Sequence, residues 1–190
     1  MDLNTARNQL ALNNKKGVPM ITGALLYWFI MLIFSFVIKN ESTLAIIYLY
    51  GTGLLFPAGI LISKWMKTDM FKKINPLSGL SGILAAVPAL MGPLMAYICF
   101  TDPGALPFTI SVITAGHFFP FAWLYQSKSY IYPPSAMLIL GLAVILFARD
   151  IQFTAFPILM MTCLALLIAG ACYEMKKEAE RENRLDADTV

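Results

Sequence analysis

Six runs of about 20 apolar residues, each free of Asp, Glu, Lys and Arg in its interior, follow one another along this 190-residue chain. They extend over Val18–Ile38, Leu44–Ser63, Leu80–Phe100, Leu106–Tyr125, Ile131–Ala148 and Phe153–Tyr173. A helix rising 1.5 Å per residue needs roughly 20 residues to cross a hydrocarbon core of about 30 Å, and each run meets or approaches that length. Lipid offers no hydrogen-bond partner to a backbone, so a spanning segment is either a helix or a strand of a closed barrel. Barrel strands are short and alternate polar with apolar residues. These runs are continuously apolar, and the expected fold is all-α: a polytopic transmembrane bundle of six helices.

Composition agrees: 58% of residues are hydrophobic and 13% charged, against about 25% charged in a soluble domain. The expected organisation is a polar segment over 1–17, one membrane domain over 18–173 and a charged tail over 174–190. The first run exceeds the usual length of a signal-peptide core and lacks a small-x-small cleavage site at its end, so it is expected to stay in the mature protein. Leu3, Ala6 and Leu10 stand at helical spacing in the opening segment, which allows either a short amphipathic turn on the leaflet or no fixed structure.

Charge reports orientation. Arg7, Lys15 and Lys16 precede the first run, Lys64, Lys67, Lys72 and Lys73 fill the second connection, and Lys128 lies in the fourth; Lys176, Lys177, Arg181 and Arg184 follow the sixth. Only Lys39 and Arg149 fall on the other side. By the positive-inside rule both termini are expected in the cytoplasm. The net charge of +3 is spread over membrane flanks and gives no sign of nucleic-acid binding; membrane lipids are the expected partners.

The inventory of reactive groups is short. With one histidine, no carboxylate inside a run and three scattered cysteines (Cys99, Cys163, Cys172), the chain supplies no pair of intramembrane aspartates, no H-E-x-x-H site, no bis-histidine haem site and no C-x-x-C. No catalytic residue, metal site or cofactor is expected. His117 is the one titratable residue at depth, and Ser111 and Thr114 precede it by six and three positions. Such a polar stripe faces protein or water: it either lines a cavity for a solute or makes an interhelical hydrogen bond.

The motif G-x-x-F-P occurs twice, as Gly53, Phe56, Pro57 and as Gly116, Phe119, Pro120. Proline frees the carbonyl four residues earlier, which is a glycine in both helices, so kinks are expected at Pro57 and Pro120, and also at Pro88 and Pro93 in the third run. Broken helices expose backbone to substrates in many transporters, and they also serve simply as shape devices. Tyr27 and Trp28 lie mid-span in the first run, as packing residues or as the wall of a cavity. Small residues at four-residue spacing (Ser78, Gly82, Ala86; Ala165, Ala169) permit close helix contacts within the bundle or between the protomers of a homo-oligomer.

Three segments, NKKGVP (Asn14–Pro19), GTGLLFPAGILISKWMK (Gly51–Lys67) and GHFFPFAWLYQSKSY (Gly116–Tyr130), resemble a family of small uncharacterised bacterial integral membrane proteins built on a domain of unknown function. The resemblance covers the first two-thirds of the chain. It implies a location in the bacterial inner membrane and transfers no functional residue. Two functions are expected from the residues. The first is a transporter or channel for a small neutral or weakly basic solute, with a midplane cavity near His117, Thr114, Ser111, Gly116, Gly53, Trp28 and Tyr27. The second is a structural or regulatory membrane protein that binds a partner protein or lipid at its basic face, Lys64 to Lys73 above all. An enzyme acting on a lipid comes last, for want of acids and bases.

Overall fold

The computed structural model describes residues 2–68 and 72–188, with the side chains of 182, 183 and 185–188 left aside. Among these residues there is no strand. The helices are α1 (Leu3–Asn13), α2 (Val18–Val37), α3 (Glu41–Trp65), α4 (Leu77–Leu90), α5 (Gly92–Thr101), α6 (Leu106–Leu124), α7 (Tyr132–Phe147) and α8 (Gln152–Asp188). Six helical segments are long and apolar enough to cross a membrane, α4 and α5 together forming the third.

Local chemistry sets where these helices begin and end. Asp2 accepts from the Asn4 amide at 3.2 Å and Asn40 from the Thr43 amide at 2.8 Å, which satisfies amides that a helix start leaves orphaned. Pro19, Pro93, Pro107 and the pair Pro133 and Pro134 stand in first turns, where the missing N–H costs nothing. The third crossing is interrupted where α4 meets α5 at Met91, with Pro88 before the joint and Pro93 just after it. α3 and α6 run on through Pro57 and Pro120.

α8 is the hub, packed against α2 on one side and against α6 and α7 on the other, while α3 covers α2. α2 and α3 meet at glycines: a Cβ on Gly23 would lie 3.1 Å from the Gly59 amide nitrogen, and one on Gly51 would lie 2.9 Å from the Tyr27 ring. Close backbone approach of this kind supplies the dispersion contact that drives helix association in lipid. Polar side chains then lock the crossing. Tyr27 donates to the Tyr48 carbonyl at 3.0 Å, and Tyr48 donates to the Phe153 carbonyl at 2.7 Å, tying α2 to α3 and α3 to α8. The third crossing is the one least covered by the rest of the bundle.

The segment before α2 and the second half of α8 meet at one end of the bundle, because Lys16 forms ion pairs with Glu174 and Glu178 on α8. α1 is neither free nor isolated on a surface. It buries Ala6, Leu10 and Ala11, its Ala6 carbonyl accepts from Asn75 at 2.8 Å, and Asn8 accepts from Gln126 at 2.8 Å. It therefore lies across the start of α4 and the end of α6 as a cap. At the opposite end Arg149 and Asp102 pair at 3.0 Å with both side chains exposed, a contact worth about 0–1 kcal/mol.

Candidate functional site

The polar residues of α6 do not share one environment. Ser111, buried, donates to the Met160 sulfur of α8 at 3.1 Å. His117 is half-buried; its Nδ1 lies 3.1 Å from the Thr114 carbonyl of its own helix, and its ring packs tilted against Phe118 and edge-on against Phe121, with centroids 4.6 and 5.7 Å away. Gly53 and Gly116 are exposed, with open space where a Cβ would stand. Tyr27 and Trp28 belong to a separate aromatic cluster with Tyr48, edge to face at 5.2–6.4 Å. A hollow of about 70 Å³ lies along the α2–α3 seam between Gly23, Tyr27 and Gly51 and is otherwise apolar. His117 is not among its lining residues.

The densest polar chemistry is at the end where the turn before α2 meets α8. Lys15, Lys16 and Gly17 are three consecutive residues in the left-handed region, with φ of 45°, 47° and 74°. For a residue with a Cβ that conformation costs about 1–2 kcal/mol, so compensating contacts are required. Lys15 Nζ donates to the Met66 carbonyl at 2.7 Å, at the C-terminal end of α3, where the helix dipole is negative. Lys16 is 1% exposed, and its Nζ lies 2.7 Å from Glu178 and 3.3 Å from Glu174. Tyr130 donates to the Lys16 carbonyl. Glu174 also accepts from the Ser129 amide at 3.2 Å and from its hydroxyl at 2.9 Å.

Gly17 is fixed by sterics as well as by φ, because a Cβ there would sit 2.7 Å from the Tyr130 hydroxyl. Asn14, buried, reaches the Tyr125 hydroxyl at 3.5 Å, and Tyr125, Tyr130, Phe121 and Phe118 pack as a ring cluster beneath. The turn at Lys15–Gly17, the turn at Lys128–Tyr130 and α8 are thereby joined as one block. The other left-handed non-glycine residues described, Lys67 and Gln126, close α3 and α6 at this same end.

Beside this block is an open groove of about 420 Å³ between the end of α6 and the start of α7, walled by Phe119, Ala122, Trp123 and Ile131, with Gln126, Ser127 and Lys128 at its polar margin. Arg7 flanks it: the guanidinium sits 4.6 Å from the Trp123 ring centroid, and Nε donates to the Trp123 carbonyl at 2.9 Å. Among the described residues Arg7 and Lys128 have no carboxylate partner, in contrast to Lys16 and Arg149. The buried Ser127 hydroxyl lies beside Glu174 without completing a hydrogen bond to it. Among the described residues no group of three His, Cys, Asp or Glu is placed to hold a metal ion.

Sequence reasoning counted Lys15, Lys16, Arg7 and Lys128 for orientation and overlooked their local chemistry. The signal lay in the segments NKKG and SKSY, each a lysine beside small turn-forming residues at the foot of an apolar run. The Lys64–Lys73 connection includes residues 69–71, which lie outside the described residues; Lys64, Lys67, Lys72 and Lys73 are exposed.

Six apolar helices in one bundle, with their polar chemistry gathered at an end, define a polytopic α-helical membrane protein. The chain belongs to a family of unknown function, DUF7010, whose profile matches residues 3–174. Comparison with curated proteins and with solved structures gives no match.

Proposed function

We propose that this chain is a structural or regulatory membrane protein that binds an anionic partner at its basic face, and that this face is cytoplasmic. The distribution of cations carries the reading. Lys16 is neutralised internally by Glu174 and Glu178, whereas Arg7, Lys64, Lys67, Lys72, Lys73 and Lys128 make no ion pair among the described residues and cluster at the same end. Unpaired cations at the edge of a bilayer attract anionic headgroups by about 1 kcal/mol each. The excess of bases at that end is also what the positive-inside rule places in the cytoplasm.

The test is a melting curve in nanodiscs of phosphatidylcholine with and without phosphatidylglycerol. A partner that binds only the folded state raises the melting temperature. Phosphatidylglycerol should stabilise the protein, and the joint substitution of Lys64, Lys67, Lys72, Lys73 and Lys128 by Gln should abolish the gain. An equal melting temperature in both bilayers would refute the reading.

A second reading, a carrier or channel for a small solute, is favoured by one observation: the His117 Nε2 has no partner among the described residues although the ring lies within a crossing. A nitrogen left so in an apolar span is available to a solute. His117 lines neither the groove beside α6 nor the hollow along the α2–α3 seam. Solute uptake into proteoliposomes that His117→Ala abolishes would reverse the order of the two readings.

A further inference from the structure

We propose that the groove between α6 and α7 is a binding site for one anionic phospholipid, its acyl chain against Phe119, Ala122 and Ile131 and its phosphate at Lys128 and Arg7. This rests on the reading above and assigns that anionic partner to a class and a place.

Two features of the groove point to this occupant. The walls are apolar and belong to the ends of two crossing helices, at the level where Trp123 stands half-exposed in the manner of an interfacial anchor. An amphiphile already in the leaflet reaches such a wall without leaving lipid, whereas a soluble anion would gain nothing from it. One cation, Lys128, stands at the groove margin and a second, Arg7, lies over the ring of Trp123, and neither has a carboxylate partner among the described residues. Arg7 is held in place on the face of the Trp123 ring and by the Trp123 carbonyl, so its ordering entropy is already spent before a phosphate arrives. Lys128 is exposed at the groove margin. A fixed guanidinium and a free ammonium flanking an apolar slot match a phosphodiester carrying a hydrocarbon tail.

Trp123 is a built-in reporter. In a Trp65→Phe background, which removes the exposed tryptophan near Lys64 and Lys67, fluorescence is recorded in phosphatidylcholine bilayers containing a small fraction of lipid brominated on its acyl chains. Brominated phosphatidylglycerol should quench more strongly than brominated phosphatidylcholine, corresponding to a local enrichment of up to about thirtyfold for two unpaired cations. Trp123→Phe should remove the difference, Lys128→Gln should reduce the enrichment about fivefold, and Lys128→Gln combined with Arg7→Gln should bring it near unity. Inorganic phosphate should leave it unchanged.

Equal quenching by the two lipids overturns the site. If phosphatidylglycerol still stabilises the protein but Lys128→Gln leaves the quenching difference intact, the groove is wrong while the basic-face reading stands. If phosphatidylglycerol neither stabilises nor quenches preferentially, both fail. Displacement by inorganic phosphate would make the occupant a soluble anion and overturn the lipid assignment.

Discussion

The middle of α6 and the end of the bundle where Lys16 meets α8 both hold polar residues in an apolar protein, and they treat them in opposite ways. At mid-helix each polar group is handled singly: Ser111 finds a sulfur, and His117 finds a carbonyl of its own turn. At the basic end Lys16, Glu174, Ser129 and Tyr130 satisfy one another across three segments distant in sequence. A group paired within its own helix can be removed with little consequence for its neighbours. A group in a buried network cannot, since each partner is left with an unmet charge or hydrogen bond.

The largest effect expected from breaking this contrast is at Lys16. Lys16→Met removes a buried ammonium and leaves two carboxylates close together. Loss of one member of a fully buried pair costs about 3–5 kcal/mol; Glu174 and Glu178 retain some water, so the lower end, about 3 kcal/mol, is expected, read as a fall in the detergent melting temperature. Next comes Gly17→Ala, which combines left-handed strain of about 1–2 kcal/mol with displacement of the Tyr130 hydroxyl. Tyr130→Phe should cost about 1–2 kcal/mol by leaving the Lys16 carbonyl without its donor. His117→Ala should change stability by less than about 1 kcal/mol, because the bond it loses is local to its helix and the rest is ring packing. A larger loss at His117 than at Lys16, in the same assay, would invert the comparison.

A milder probe concerns the seam of α2 and α3. Gly53→Ala should be close to neutral, within about 0.5 kcal/mol, since its Cβ enters open space. Gly23→Ala forces the two backbones apart and should lower the melting temperature measurably. These two glycines separate a motif conspicuous in sequence from a contact conspicuous in structure.

The six crossings were legible because lipid imposes a length and a composition on each segment independently of the others. The ends of α2, α6 and α7 follow from prolines and turn residues local to them. The basic-end network was not legible, since Lys16 and Glu178 are 162 positions apart and only packing brings them together. Nor does a glycine in a repeated G-x-x-F-P announce which face it occupies: Gly53 and Gly116 face outward, while Gly23 and Gly59, outside any motif, make the close helix contact. A lone histidine stands out in sequence by rarity alone, and rarity says nothing about its partners.

The basic end is the surface proposed to recognise an anionic lipid. Native mass spectrometry of protein released from bilayers with equal phosphatidylglycerol and phosphatidylcholine measures this directly. Phosphatidylglycerol adducts should persist on the wild type and on His117→Ala alike, and disappear when Lys64, Lys67, Lys72, Lys73 and Lys128 are all changed to Gln. Equal retention of the two lipids by the wild type, or undiminished phosphatidylglycerol on the basic-face variant, would contradict it.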